Sequence, residues 1–237
     1  MSYLVRAKDV CLSYPAPSGG IRALFSAKRE MPKALDSISF DLKRGDSLAL
    51  VGLNGSGKST LLRTIAGIYQ PETGDIDVVG NIVSLFNLGI GMRMETSGRD
   101  NIILMGMIRG HSREKMLELT PSIIDFSELG EVIDNPILTY SQGMAMRLAF
   151  AVATSLEPEI LLLDEWIGAG DRVFRDKAER RLVAMVGEAR GLVLASHNTK
   201  IVRKYCKKAL WLEKGRVVMQ GDVDTVLSEF EAGHPNP

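Results

Sequence analysis

Gly52-Leu53-Asn54-Gly55-Ser56-Gly57-Lys58-Ser59-Thr60 satisfies G-x-x-x-x-G-K-[ST] at every fixed position. Ser47–Val51, just before it, is a short apolar run that predicts a buried strand, and Leu61–Ala66, just after it, predicts a helix. A strand that turns through glycines into a helix leaves backbone N–H groups unpaired at the turn. Those donors, with the positive end of the helix, suit a chain of phosphates. Gly52, Gly55 and Gly57 allow the backbone positive φ and a close approach to the ligand. Lys58 is expected between the terminal phosphates and the Ser59 hydroxyl on Mg²⁺. The bland reading is a glycine turn with an accidental lysine, and the flanking strand and helix argue against it.

The totals bound what surrounds this loop. A chain of 237 residues suits one α/β domain, or one with a small helical insert. Its 45% hydrophobic and 24% charged residues are ordinary for a soluble globular protein. Lys+Arg and Asp+Glu both total 29, a balance that argues against a dedicated nucleic-acid partner, which should show a basic excess. Cys11 and Cys206 have neither metal-site spacing nor the density of a disulfide scaffold, and read as reduced, packed residues. No signal peptide is visible, and no run approaches the ~18 apolar residues of a membrane span. Any membrane role is therefore expected to run through a partner.

Along the chain, 3–14 reads as a strand ended by Pro15–Gly20. Residues 21–33 are basic and read equally as a solvated loop or as a short amphipathic helix near a membrane surface. Ala34–Leu42 alternates like a half-exposed strand, and strands follow near 75–79 and 81–86. Residues 95–135 are helix-rich, with five methionines from Met92 to Met116 that suit either core or an adaptable contact face. We take 90–157 as a helical insert, 1–89 and 158–237 forming the α/β core. Strand and helix alternate again from Ile160 to a terminal helix at 222–232.

A second constellation lies at Glu159-Ile160-Leu161-Leu162-Leu163-Asp164-Glu165. An all-apolar run of this length suits a central parallel strand, and its carboxyl end faces the crevice where open α/β sheets bind ligands. Asp164 there is a candidate Mg²⁺ ligand and Glu165 a candidate general base for an attacking water. The plain alternative is a strand end followed by an acidic turn. His197 ends another buried run, Leu192–Ser196, at the same predicted sheet edge, where it would reach a γ-phosphate or its attacking water. Ser141 is a natural N-cap for the helical run after Tyr140-Ser141-Gln142-Gly143-Met144, and Gly143 leaves the first turn's N–H groups open. One nucleotide does not need two such helix starts. A symmetric dimer uses both when each site takes the loop from one copy and the cap from the other.

Taken in order, these motifs resemble the ATP-binding cassette over essentially the whole chain. Gly52–Thr60 is similar to Walker A, Ile160–Asp164 to Walker B, and Glu165 to the catalytic glutamate that follows it. Ser141-Gln142-Gly143 lies where the family has its Leu-Ser-Gly-Gly-Gln signature, Gly168–Asp171 resembles the D-loop, Ser196-His197 the switch histidine, and Tyr14 the aromatic residue that stacks on adenine. Tyr-Ser-x-Gly-Met followed by Arg147-Leu148-Ala149-Phe150, with Leu163-Asp164-Glu165…Gly170–Phe174 and Leu85–Gly89, resembles the cassettes of exporters of O-antigen, capsule or teichoic acid. Asn87 stands where the family's Q-loop glutamine is usual, a shorter amide that still suits Mg²⁺ or the attacking water.

The resemblance implies a P-loop NTPase fold: a RecA-like mixed sheet core, an antiparallel β subdomain and a helical subdomain carrying the signature. It implies ATP and Mg²⁺ as ligands, a second copy of the chain completing an ATP sandwich, and two integral-membrane permease subunits that bind most of a lipid-linked glycan. The expected place is the cytoplasmic face of the bacterial inner membrane. A cassette energising export of a lipid or drug is the alternative within transport. A translation or DNA-repair cassette usually carries two cassettes or a long coiled-coil insert, which this sequence lacks. A nucleotide kinase or GTPase leaves Ser141 and Asp164-Glu165 jointly unexplained.

Overall fold

The computed structural model describes residues 3–14, 33–165 and 172–234, with the side chains of 172 and 173 excepted. The basic stretch at 21–32 and the D-loop residues Gly168–Asp171 lie outside the described residues. The strands are β1 (Tyr3–Ser13), β2 (Lys33–Lys43), β3 (Ser47–Val51), β4 (Thr73–Val78), β5 (Ile82–Ser84), β6 (Ile160–Asp164), β7 (Gly191–Ala195), β8 (Lys208–Glu213) and β9 (Arg216–Asp222). The helices are α1 (Lys58–Ile65), α2 (Gly98–Ile108), α3 (Arg113–Ser127), α4 (Gln142–Ala153), α5 (Arg172–Glu188), α6 (Thr199–Tyr205) and α7 (Val223–Gly233). The chain divides into two compact units, Met1–Gly80 with Arg190–Pro237, and Asn81–Ala189.

In the first unit β2, β1 and β4 form an antiparallel sheet. The alternation read in β2 is real: Leu35, Ile38, Phe40 and Leu42 are buried while their neighbours face out, as a sheet covered on one side requires. β3 lies between β7 and β8, parallel to both, and β9 returns antiparallel to β8. β3 and β7 are buried along almost their whole length, which is why they read as continuous apolar runs with no period of two. At Gly191 an added Cβ would stand 2.7 Å from Leu4 Cδ1 and 3.0 Å from Leu42 Cδ2, so glycine lets β7 start close against the leucines of the antiparallel sheet. α7 covers β8 through Phe230, whose ring meets Trp211 edge-on at 5.5 Å.

The second unit pairs β5 with β6 in parallel, Ser84 opposite Leu162. Its helices pack around Phe126 of α3, Phe150 of α4 and Phe174 of α5, whose ring centroids lie 5.8 to 6.1 Å apart. The methionines divide: Met105 and Met116 are wholly buried, while Met94 and Met107 are about half exposed. Gly106 lets α2 approach α3, because a Cβ there would stand 2.2 Å from Met116 Sδ. The helical run at 90–157 thus lies inside a larger unit that also takes in β5, β6 and α5.

Candidate functional site

The first unit carries the expected phosphate loop. β3 ends at Val51, Gly52 turns at φ 147°, and Gly57 at φ 110° caps α1 with no side-chain hydrogen bond to its first turn. Both glycines are required. A Cβ on Gly52 would meet the Leu212 carbonyl at 2.2 Å, and one on Gly57 the Ala34 carbonyl at 2.7 Å. Lys58 bends back over the loop, its Nζ donating to the carbonyls of Gly52 at 2.6 Å and Leu53 at 3.1 Å. The Ser56 hydroxyl is buried and has no hydrogen-bond partner among the described residues. An uncapped helix start, an orphaned hydroxyl and a lysine folded onto the rim all fit a phosphate chain. Leu53, Asn54 and Gly55 are exposed at the crest, and Ser59 and Thr60 lie in the first turn of α1.

The same unit brings His197 to this edge. β7 is parallel to β3 with Ala195 opposite Leu50, so the chain leaves both strands on the same side, one into Gly52 and the other into Ser196-His197. His197 is exposed, and Asn198 next to it caps α6 by accepting from the N–H groups of Lys200 and Ile201. Tyr14, at the end of β1, places its hydroxyl 2.8 Å from Thr60 Oγ1. This joins the expected base-stacking ring to the phosphate-loop helix.

The second unit carries the acidic strand end. β6 is buried from Ile160 to Leu163; Asp164 is half-buried and Glu165 exposed, at φ 70° in the left-handed region. Such backbone in a non-glycine residue is strained and gathers at functional sites. Asn87 also turns through positive φ (57°) and is exposed. It follows the end of β5, beside which the Leu85 N–H reaches the Leu162 carbonyl at 3.0 Å, so Asn87 and Asp164 leave adjacent parallel strands at one edge.

At the start of α4, Ser141 is the N-cap, its Oγ accepting from Met144 N at 3.2 Å. Ser141, Gln142 and Gly143 are exposed, and a Cβ added at Gly143 meets nothing nearer than Ser141 Oγ at 3.9 Å, so the helix start is open. Tyr140 has a structural role that the sequence did not disclose. Its hydroxyl donates to the Val132 carbonyl at 2.7 Å, and its ring end lies where a Cβ on Gly98 would stand 2.3 Å away. Burial, with Asp134 nearby, pushes its phenol above the ordinary value, so it stays a neutral donor.

Residues 35–168 match the model of the ABC transporter family. The chain is 47% identical over 184 residues to the O-antigen export system ATP-binding protein RfbE of Yersinia enterocolitica, covering 78% of this chain and 77% of that one. It is 35% identical over 237 residues to the teichoic acids export ATP-binding protein TagH of Bacillus cereus, covering 98% of this chain but 43% of that one. Against the O-antigen export system ATP-binding protein RfbB of Myxococcus xanthus it is 42% identical and spans 45% of that length. The chain thus spans less than half of two of these three relatives. Among solved structures, an ATP-binding subunit of an ABC transporter matches with TM-score 0.73 at 23% identity, over 96% of this chain and 93% of that one. The cassette MJ0796, dimeric in a post-hydrolysis state with ADP and Pi, matches with TM-score 0.69 at 21% identity, over 92% of this chain and 98% of that one. At those identities the likeness shows the fold.

Proposed function

Because the chain belongs to the ABC transporter family, we propose that it binds and hydrolyses ATP to energise export of a surface polysaccharide of the O-antigen, capsule or teichoic acid kind. The observation that carries the nucleotide reading is the phosphate loop, with its open helix start and its orphaned Ser56 hydroxyl. The similarity to O-antigen and teichoic acid export subunits supports the cargo.

Each residue then has a role. Loop N–H groups from Gly52 to Thr60 and the Lys58 ammonium hold the phosphates, and Tyr14 stacks on the base. Ser59, Asp164 and Asn87 would hold Mg²⁺, which would neutralise charge on the terminal phosphates. Glu165 accepts a proton from the attacking water, and the exposed His197 hydrogen-bonds the γ-phosphate. Ser141, Gln142 and Gly143 of a second copy close the site with their open helix start, making the working unit a dimer. No helix among the described residues is long and apolar enough to cross a membrane. In the proposed assembly two integral-membrane permease subunits carry the lipid-linked glycan, with the dimer on the cytoplasmic face of the inner membrane. Zero net charge fits a protein partner and not nucleic acid.

Glu165→Gln keeps the shape of the side chain and removes the base. Hydrolysis is expected to fall about 10²–10⁴-fold, with ATP affinity, measured by calorimetry, held near the parent value. Turnover close to the parent would remove Glu165 from the mechanism.

A further inference from the structure

We propose that Tyr69 is a positioning residue for the base of the nucleotide, and that Tyr14, Tyr69 and Thr60 form a single platform carried on the phosphate-loop helix. The inference rests on the reading of the site as one for ATP. Tyr14 directly follows Ser13, the last residue of β1. Among the described residues two contacts hold its ring. Its hydroxyl lies 2.8 Å from Thr60 Oγ1, in the first turn of α1. Its ring meets Tyr69 edge-to-face, with centroids 5.9 Å apart and planes at 87°.

Tyr69 is itself fixed to the far end of the same helix. Its N–H, and that of Ile68, donate to the Arg63 carbonyl at 3.3 and 2.9 Å in the turn that ends α1, and its side chain is half-buried. Both supports of the Tyr14 ring therefore belong to α1 or to the turn that closes it. Tyr14 is still 41% exposed, which leaves surface for a planar ligand. Ser59 and the Lys58 backbone open the same helix, so base and phosphate subsites move as one body within the first unit. Binding then meets a ring already ordered, and less freedom is lost when the base stacks. A purely structural Tyr69, packing the end of α1, would affect all ligands of the loop alike.

The test uses the full chain, with ATP and inorganic tripolyphosphate as ligands in Mg²⁺, measured by calorimetry beside steady-state hydrolysis. Tyr69→Leu is expected to raise the ATP Kd and KM about two- to tenfold, the size of one edge-to-face pair. The tripolyphosphate Kd and kcat are expected to hold. Tyr69→Phe keeps the ring and is expected to restore ATP affinity. Tyr69→Met, which keeps much of the buried volume, carries the same comparison if the leucine variant does not fold. Unchanged ATP binding in the variant, or an equal loss for both ligands, overturns the positioning role. A parent chain that binds tripolyphosphate but shows no preference for ATP overturns the ATP reading and this inference together.

Discussion

Cys206 follows α6 and is buried, and burial pushes its thiol up to about 12 from an ordinary value near 9. Cys11, on β1, is buried as well, but hydrogen bonds from Thr73 and from the Ser37 N–H, the latter at 3.2 Å, hold its thiol below the ordinary value. The sequence marked both as reduced packing residues, and both are free and buried. What separates them is a set of donors on strands distant in the chain, invisible to any local pattern. The difference has a thermodynamic consequence. Folded Cys206 keeps its proton through a range in which the unfolded chain loses it. Its contribution to stability is whole below about pH 9 and is lost as pH rises toward 12, at about 1.4 kcal/mol per pH unit. Urea unfolding of the parent and of Cys206→Ala at pH 7.5 and pH 10 is expected to show a stability gap that shrinks at the higher pH. A gap that stays constant would mean that the thiol does not titrate through this range in the unfolded chain alone.

At the scale of elements, long-range contacts hold the loop before α4, the proposed signature, in place. Tyr140 rests on Gly98, the first residue of α2, and donates to Val132 in the short 3₁₀ turn Gly130–Asp134. The N-cap Ser141 then projects from a fixed point. In Gly98→Ala the added Cβ would stand 2.3 Å from the Tyr140 hydroxyl and 2.9 Å from the Ile133 carbonyl, and backbone cannot yield cheaply. The variant is expected to lose about 1–3 kcal/mol of stability. It should also lose ATP turnover in greater proportion than ATP affinity, because in the proposed dimer the loop it displaces serves the partner copy's nucleotide. Thermal unfolding and KM-against-kcat measurement check the two halves; unchanged kcat would release Tyr140 from the role. The Ser141 N-cap and the open start of α4 at Gly143 were legible because an N-cap and a glycine are signals along a helix. The Tyr140–Gly98 contact was not, because contacts distant in sequence leave no period to read.

On the scale of the molecule, legibility follows the same rule. The α/β class, the buried strands and the glycine turn from β3 into α1 could be read because each is a local pattern: an apolar run, an alternation, a glycine spacing. The mixed strand order around β3 and the meeting of the β3 and β7 ends, which sets His197 near the loop, come from long-range pairing. Composition marked 90–157 as the helical part, yet the compact unit runs over Asn81–Ala189. The reason is in the core: Phe174 of α5 lies against Phe126 and Phe150, so a helix beyond the Met-rich stretch shares its apolar center. Phe150 is 1% exposed at the middle of that cluster. Phe150→Ala is expected to destabilise the chain by about 3–5 kcal/mol. The loss should fall within the unit that owns the cluster. Hydrogen exchange is expected to speed up over α2, α3, α4 and α5, while amides of β1, β2 and β3 keep their protection. An equal loss of protection in β1, β2 and β3 would show that the two compact units unfold as one cooperative body.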